Sequence, residues 1–484
     1  MVHCDTLIRN ASVLDGSGAS TQSVDVAISN GQICAIAPAL DSGAAGVVDA
    51  HGLVLAPGFI DVHTHDDTFV IRNPEMLPKL SQGVTTVIVG NCGISAAPVQ
   101  LRGEPPDPMN LLGEADAFHY PTFAAYVAAI REAQPTVNVG ALVGHTALRN
   151  NHMDRLDRTA TDLEIDSMRM QLCEALDCGA LGLSTGLAYR SANAASTEEV
   201  LKLARPLVSA GAIYVTHMRT EADGIRDAMD EAFAIGRASR VPVIVSHLKC
   251  AGIANWGRSG EILQALDVAR AGQPAGCDCY PYAAGSSTLD LRQVDPRIDI
   301  TITWSTPHPE MAGQSLGQIA KAWGLTHLDA ARRLQSAGAI YHSISEEDMR
   351  RILAHPATMI GSDGLPNDPR PHPRLWGTFP RVLGRYSREA KLMTLAQAVH
   401  KMTGMPAQRF GLAQRGLIRE GYAADLVLFD PEKIIDTATF EDPVRAAEGI
   451  TSVWVNGVPS YSADGPTGNR AGRFLHRGST QWVQ

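Results

Sequence analysis

The chain has 484 residues, 45% hydrophobic and 19% charged, with a formal net charge of −10. That composition supplies a packed core and argues against long disorder. The acidic balance argues against nonspecific nucleic-acid binding, which needs a basic footprint.

Length allows about two to four domains, a (β/α)8 barrel alone taking roughly 250 residues. No run reaches the ~18 consecutive apolar residues of a membrane span. The first ten residues carry early charges and no apolar core before a small-residue cleavage site, so no secretory signal is expected. Eight scattered cysteines read as reduced thiols in a cytoplasmic protein.

In chain order, residues 24–37 alternate around Asn30-Gly31, a two-residue hairpin signal. Eight short apolar runs follow, at 58–65, 84–92, 137–145, 180–187, 212–217, 241–247, 275–280 and 357–363. Helical patterns between them give the rhythm of a parallel sheet. Thr161 with Glu164 forms a capping box ahead of Met168, Leu172 and Leu176 on one face, and Gly179 stands at the stop. Ser196 with Glu199 repeats the start signal. Pro206 either kinks its helix or ends it early. Ser259 opens a further helix that ends near Gly272. Cys277 and Cys279 share one strand face and read as core, with redox pairing the alternative.

Residues 285–345 break this rhythm with too much chain for a loop. They hold Pro307-His308-Pro309 and a helical pattern over 316–334, and read as a lid inserted over the strand C-termini. Residues 424–429 and Val453-Trp454-Val455, before Asn456-Gly457, make the C-terminus β-rich like the N-terminus. The two ends are expected to pair as one discontinuous domain. The predicted architecture is α/β: a (β/α)8 barrel over 58–410 with the lid inside it, and a β-sandwich built from 1–57 and 411–484.

Polar residues fall at the ends of the strand candidates. His63 and His65 end the first, Cys92 the second, His217 the fifth, His247 the sixth and Asp363 the eighth. In a (β/α)8 barrel those ends converge on the active site. His63 and His65, at i and i+2, share a strand face and can reach one cation; alone they read equally as surface histidines. His217 and His247 are either metal ligands, for which imidazole suits zinc, or hydrogen-bonded histidines. Asp363 either meets a cation or proton partner or caps a helix. His145 is either a site residue or a structural one.

The segment Ala56-Pro57-Gly58-Phe59-Ile60-Asp61-Val62-His63-Thr64-His65 resembles the first-strand motif of the amidohydrolase superfamily. Glu420-Gly421 and Ala424-Asp425-Leu426-Val427-Leu428-Phe429-Asp430 resemble its C-terminal signature. The resemblance covers nearly the whole chain. Many members bridge two metals with a carbamylated lysine on strand four, but no lysine lies between Lys79 and Lys202 here. A thiolate at Cys92 is the candidate replacement; the alternative is an inert buried cysteine.

Further matches point to one branch, the D-aminoacylase family of N-acyl-D-amino acid deacylases. They are Gly90-Asn91-Cys92-Gly93, Ser246-His247-Leu248-Lys249, Cys279-Tyr280-Pro281-Tyr282, Gly361-Ser362-Asp363-Gly364-Leu365-Pro366, and the run from Pro371-His372-Pro373-Arg374 to Pro380. That resemblance implies a tight zinc at Cys92, His217 and His247 and a weaker position at His63 and His65. Asp363 is implied as the catalytic carboxylate, in contact with the second metal. Lys249, Tyr282 and Arg374 are implied to hold the substrate α-carboxylate, with Tyr189 orienting the scissile carbonyl and Ser286 joining the substrate contacts. Solvated loop charges (Lys249, Arg374) and plain packing (Tyr282, Tyr189) are the alternatives.

The expected reaction is zinc-dependent hydrolysis of N-acyl-D-amino acids, with neutral hydrophobic side chains favoured against a wall of Ala188, Tyr341 and Ile344. Arg292 and Arg297 favour the rival, an N-acyl-D-glutamate or D-aspartate deacylase, with Asp295 opposing their field. A cyclic-amide hydrolase of the hydantoinase or dihydroorotase type ranks lower for want of the lysine. A barrel that has lost catalysis ranks lowest. The expected partner is a small-molecule substrate, with no nucleic acid or membrane, and the expected state is a monomer or small homo-oligomer.

Overall fold

The computed structural model describes residues 2–478. Eight parallel strands form the barrel: β1 (Phe59–Asp61), β2 (Val84–Val89), β3 (Asn138–Ala141), β4 (Gly182–Gly186), β5 (Ile213–His217), β6 (Val243–Val245), β7 (Ala275–Cys279) and β8 (Thr358–Ile360). β1, β2 and β3 pair in sequence. Val143–Gly144, continuing β3, pairs with β4, and the parallel run proceeds through to β8. The ring closes where the His65 amide donates to the Gly364 carbonyl at 3.0 Å and the Asp363 amide to the His63 carbonyl at 2.7 Å.

The strands hold because their inward side chains fill the barrel. Ile60, Val62, Ile88, Leu142, Leu181, Ile213, Val215, Ile244 and Met359 pack as one buried cluster, a solid core rather than a pore. Outward residues of the same strands pack under the helices. Thr161 and Glu164 make both bonds of a capping box on the helix Asp162–Asp177. Gly179 at φ +95° then turns the chain where a side chain would strain it. Pro206 does break its helix, which splits into Thr197–Ala204 and Pro206–Ala210. Ser196 caps the first piece, but the Glu199 side chain turns inward instead of completing a box.

An N-terminal segment, 2–57, and a C-terminal one, 426–466, enter one nine-stranded sheet, while residues 472–475 return along β3 of the barrel instead of staying with the sandwich expected over 411–484. Asn30-Gly31 (φ 52° and 78°) and Asn456-Gly457 (48° and 77°) each form the left-handed pair of a tight hairpin. Val54–Pro57 pairs antiparallel with Leu426–Phe429, joining the N- and C-terminal portions. Ile8, Val26, Ile28, Leu55, Leu426, Leu428 and Trp454 make their shared core, the β-sandwich beside the barrel.

Between β7 and β8 the chain leaves the barrel. Gly285–Thr288, Ile300–Ser305 and Ala337–Tyr341 form a separate three-stranded antiparallel sheet. The predicted single helical pattern over 316–334 is two helices, Leu316–Trp323 and His327–Leu334. Gly324 (φ +65°) stops the first, and the Thr326 hydroxyl caps the second. Ile302, Leu316, Ile319, Ala331 and Tyr341 give this insertion a core of its own.

Candidate active site

The strand ends bring the predicted ligands together in two overlapping groups. His63, Cys92, His247 and Asp363 have donor atoms within 4.8 Å of one another, as do His217, Glu221 and His247. Cys92 Sγ lies 3.2 Å from His63 Nε2 and 3.3 Å from His247 Nε2. Asp363 Oδ1 lies 3.2 Å from His65 Nε2 and 3.5 Å from His63 Nε2. The His217 and His247 rings meet edge-on at 4.5 Å. The expected partition set Cys92 with His217 and His247. In the structure His63 approaches the thiol as well, and His217 falls beside Glu221.

Local backbone aims three of these side chains. Cys92 (φ 54°), His247 (34°) and Asp363 (50°) all stand in the left-handed region just beyond β2, β6 and β8. Non-glycine residues held there cost of order 1–3 kcal/mol each and cluster at functional sites. Gly93 is required by close approach, since a Cβ there would sit 2.5 Å from the Gly186 amide nitrogen.

Burial alone would raise the Cys92 thiol, but His63, His247 and His217 around it drive it well below its ordinary range, to a thiolate. Burial likewise opposes ionisation of Asp363. Arg374, His63, His247 and His65 outweigh it and keep the carboxylate charged. Burial pushes the His65 imidazole down, while Asp363 and Cys92 hold it up at about 9. Burial and Lys249 push His247 down; Glu221, Cys92 and Asp363 hold it at about 9. The cluster thus attracts positive charge, whether protons or a metal cation.

Carboxylates behind the cluster fix its imidazoles. Asp278 Oδ1 lies 3.2 Å from His63 Nδ1 and accepts from the His247 amide at 2.9 Å. Glu221 sits 2.9 Å from His247 Nδ1 and accepts from Lys249 Nζ at 2.6 Å. Such partners set tautomer and orientation in metal sites. Among the described residues His65 Nδ1 and His217 Nδ1 have no hydrogen-bond partner.

A cavity of about 1350 Å³ opens over this cluster, lined by His65, Tyr189, His217, Glu221, His247, Lys249, Tyr280, Ser286 and Asp363. Of the predicted substrate contacts, Tyr189 faces it with its ring 4.7 Å from His217, and Lys249 and Ser286 line it. Arg374 is buried in the wall. Its Nη1 pairs with Asp363 Oδ2 at 3.0 Å, its Nη2 donates to the Ser286 carbonyl at 3.1 Å, and its guanidinium covers Tyr280 at 4.6 Å.

Tyr282 requires correction. The chain turns directly after β7, with the Tyr282 amide donating to the Tyr280 carbonyl at 3.0 Å. The Tyr282 hydroxyl therefore points to the Pro373 carbonyl, 3.5 Å away, with Arg381 over its ring. Tyr280 faces the cavity instead, and its hydroxyl has no hydrogen-bond partner among the described residues. His145 opens the helix His145–His152 and bonds Glu199 at 3.0 Å, so it is structural.

Ala188, Tyr341 and Ile344 line the cavity. Arg292 is held by both Asp290 oxygens, its Nε donating to Oδ1 at 3.1 Å and its Nη2 to Oδ2 at 2.7 Å, and Arg297 is held by Asp295. Sequence reasoning missed Glu221, Asp278 and Tyr280. Asp278 carried a signal, since strand alternation sends it opposite to Cys277 and Cys279; Glu221 lies in an irregular turn that offered none.

Residues 46–461 match the model of the amidohydrolase family. The D-aminoacylase of Alcaligenes xylosoxydans xylosoxydans is 49% identical over 98% of this chain and 98% of its own length. The N-acyl-D-aspartate deacylase of the same organism is 47% identical over 99% of this chain and 97% of its own. The crystal structure of N-acyl-D-glutamate deacylase from Bordetella bronchiseptica, complexed with zinc and a phosphonate mimic of the tetrahedral intermediate, superposes with a TM-score of 0.95 at 45% identity, covering 98% of this chain and 100% of that one.

Proposed function

This chain belongs to the amidohydrolase family, and on that footing we propose that it is a zinc-dependent N-acyl-D-amino acid deacylase, releasing a carboxylate and a free D-amino acid. The observation that carries this reading is a buried cysteine sulfur, that of Cys92, packed against imidazoles and Asp363 at the mouth of a barrel with no lysine on β4.

The donors fit zinc: thiolate sulfur, imidazole nitrogen and a carboxylate, with two ring nitrogens left unpartnered. Cys92, His217 and His247 would hold it tightly and leave one coordination position open. His63 and His65, with Asp363, would form a weaker second position. When bound, zinc lowers the pKa of water to ~7 and polarises the scissile carbonyl.

Asp363, ionised and within reach of that position, takes the proton of the attacking water and passes it to the departing nitrogen. Glu221 and Asp278 keep the imidazoles oriented. Lys249, Tyr280 and Arg374 supply donors for the α-carboxylate, Lys249 by giving up one of its bonds to Glu221 and His247 and Arg374 by exchanging its pairing with Asp363. Tyr189 directs the carbonyl, and Ser286 offers a free hydroxyl at the lid edge.

Neutral hydrophobic side chains suit the wall of Ala188, Tyr341 and Ile344, because Asp290 and Asp295 already neutralise Arg292 and Arg297. An N-acyl-D-glutamate or D-aspartate deacylase is the second reading, favoured by Arg292 lining the cavity; it needs Arg292 to release Asp290. We take the enzyme to be cytoplasmic, a monomer or small homo-oligomer; no described helix is long and apolar enough to cross a membrane.

A kcat/KM panel of N-acetyl-D- and L-amino acids, with metal analysis, tests the proposal. The expected order is D-methionine and D-leucine derivatives above D-glutamate, with the L-series below detection. Stoichiometric zinc with hydantoin cleavage and no deacylation refutes it.

A further inference from the structure

Lys79 lies in the short helix Leu77–Leu80, fully buried beneath the barrel mouth, and takes no part in the hydrolysis described above. Its Nζ donates at 2.8 Å each to Asp61 Oδ2, Thr64 Oγ1 and Ser362 Oγ, and lies 3.3 Å from Asp66 Oδ2. An ammonium has three donors, and all three are committed here.

Every one of these partners is a close chain neighbour of a candidate ligand. Thr64 lies between His63 and His65, Asp66 follows His65, Ser362 precedes Asp363, and Asp61 stands two before His63. Asp61 ties the same two segments again, accepting from the Ser362 amide at 2.8 Å and its hydroxyl at 2.5 Å. The network therefore spans the seam where β8 closes on β1.

Burying an ammonium among two carboxylates carries a heavy desolvation cost, and an apolar side chain would fill the same space with less. What the charged network adds is a fixed geometry between two ligand-bearing segments, because its donors and acceptors have one matched arrangement. We propose that Lys79 is a positioning residue that fixes the His63–His65 pair against Asp363 across this seam, and so sets the affinity of the weaker metal position. The inference rests on the zinc reading of the site.

Lys79→Met alone leaves two buried carboxylates without a counter-charge, so it is combined with Asp66→Asn, which restores the network's formal charge. Stepwise zinc titration of the apoenzyme against a competing chelator gives two binding constants, and thermal unfolding gives Tm. The expected result is a fall of about 10–100-fold in the weaker constant, the size seen when outer partners of metal ligands are removed, with the tight constant unchanged. Ser362→Ala, which keeps all three charges, lowers the weaker constant by a smaller factor.

An unchanged weaker constant in the folded variants overturns the proposal. Equal losses in both constants alongside a lower Tm also overturn it, since general loosening has no preference between positions. Should the double variant not fold, Ser362→Ala decides by the same criteria. Wild-type protein that takes up one zinc in excess metal overturns this inference and leaves the one-zinc mechanism standing. Wild-type protein that takes up none overturns the zinc reading itself.

Discussion

Two tyrosines at the end of β7 face different ways. Tyr280 presents to the cavity a hydroxyl without a partner among the described residues; burial pushes its pKa up to about 12, so it remains a donor. Tyr282 packs between His372 and Arg381. Removing a hydrogen bond to a charged group costs about 1.5–3 kcal/mol. Tyr280→Phe should thus lower kcat/KM for N-acetyl-D-methionine by about tenfold or more, mainly through KM, and Tyr282→Phe should leave it unchanged in steady-state assays. The resemblance put Tyr282 at the substrate, and nothing in Tyr280-Pro281-Tyr282 announces the turn that sends its ring away from the cavity while Tyr280 faces it. That His247 and Asp363 stand at strand ends was readable from the apolar runs before them, and Cys92 was singled out by the missing lysine. Their left-handed backbones, which do the aiming, were not readable.

Strands and helices were legible wherever one period ran unbroken. The apolar runs marked all eight barrel strands, since parallel strands buried on both faces are continuously hydrophobic. The insertion's helices blurred into one pattern because only Gly324-Leu325-Thr326 separates them. At the opposite end of β8 from the site, Lys401 on the helix Leu395–Met402 donates to the Thr358 carbonyl at 3.1 Å and to that of His355. Burial pushes its ammonium down to about 8. Between that value and the unfolded value near 10.4, the unfolded chain binds one more proton than the folded one, so stability must rise with pH through this window. Urea midpoints of wild type and Lys401→Met should diverge in favour of wild type by roughly 2 kcal/mol between pH 7.5 and 9.5. A constant difference between the two proteins would exclude Lys401 as the titrating group.

Across the whole molecule, one buried carboxylate joins polar groups of the sandwich and the barrel. Asp425 pairs with Arg415, accepts from Asn138 of β3 at 3.1 Å and from the Asn456 amide at 2.7 Å. It is 5% exposed. Removing one partner of a buried ion pair costs about 3–5 kcal/mol. Asp425→Ala should therefore lower the urea midpoint, with near- and far-ultraviolet circular dichroism falling in a single coincident transition. Two separated transitions would mean that sandwich and barrel are independently stable. The pairing of the chain ends was readable from two Asn-Gly hairpins, whereas the polar junction was not, because Asn138 and Asp425 are far apart in sequence.

The excursion between β7 and β8 buries its own apolar residues and yet supplies one wall of the cavity. On the reading proposed above, recognition of the amino-acid side chain is thereby mounted on a part whose folding energy does not come from the hydrolytic centre. Substitutions there can exchange one preferred side chain for another while the ligands at the strand ends stay put, an arrangement that lets a lineage of such enzymes diversify its diet without rebuilding its chemistry.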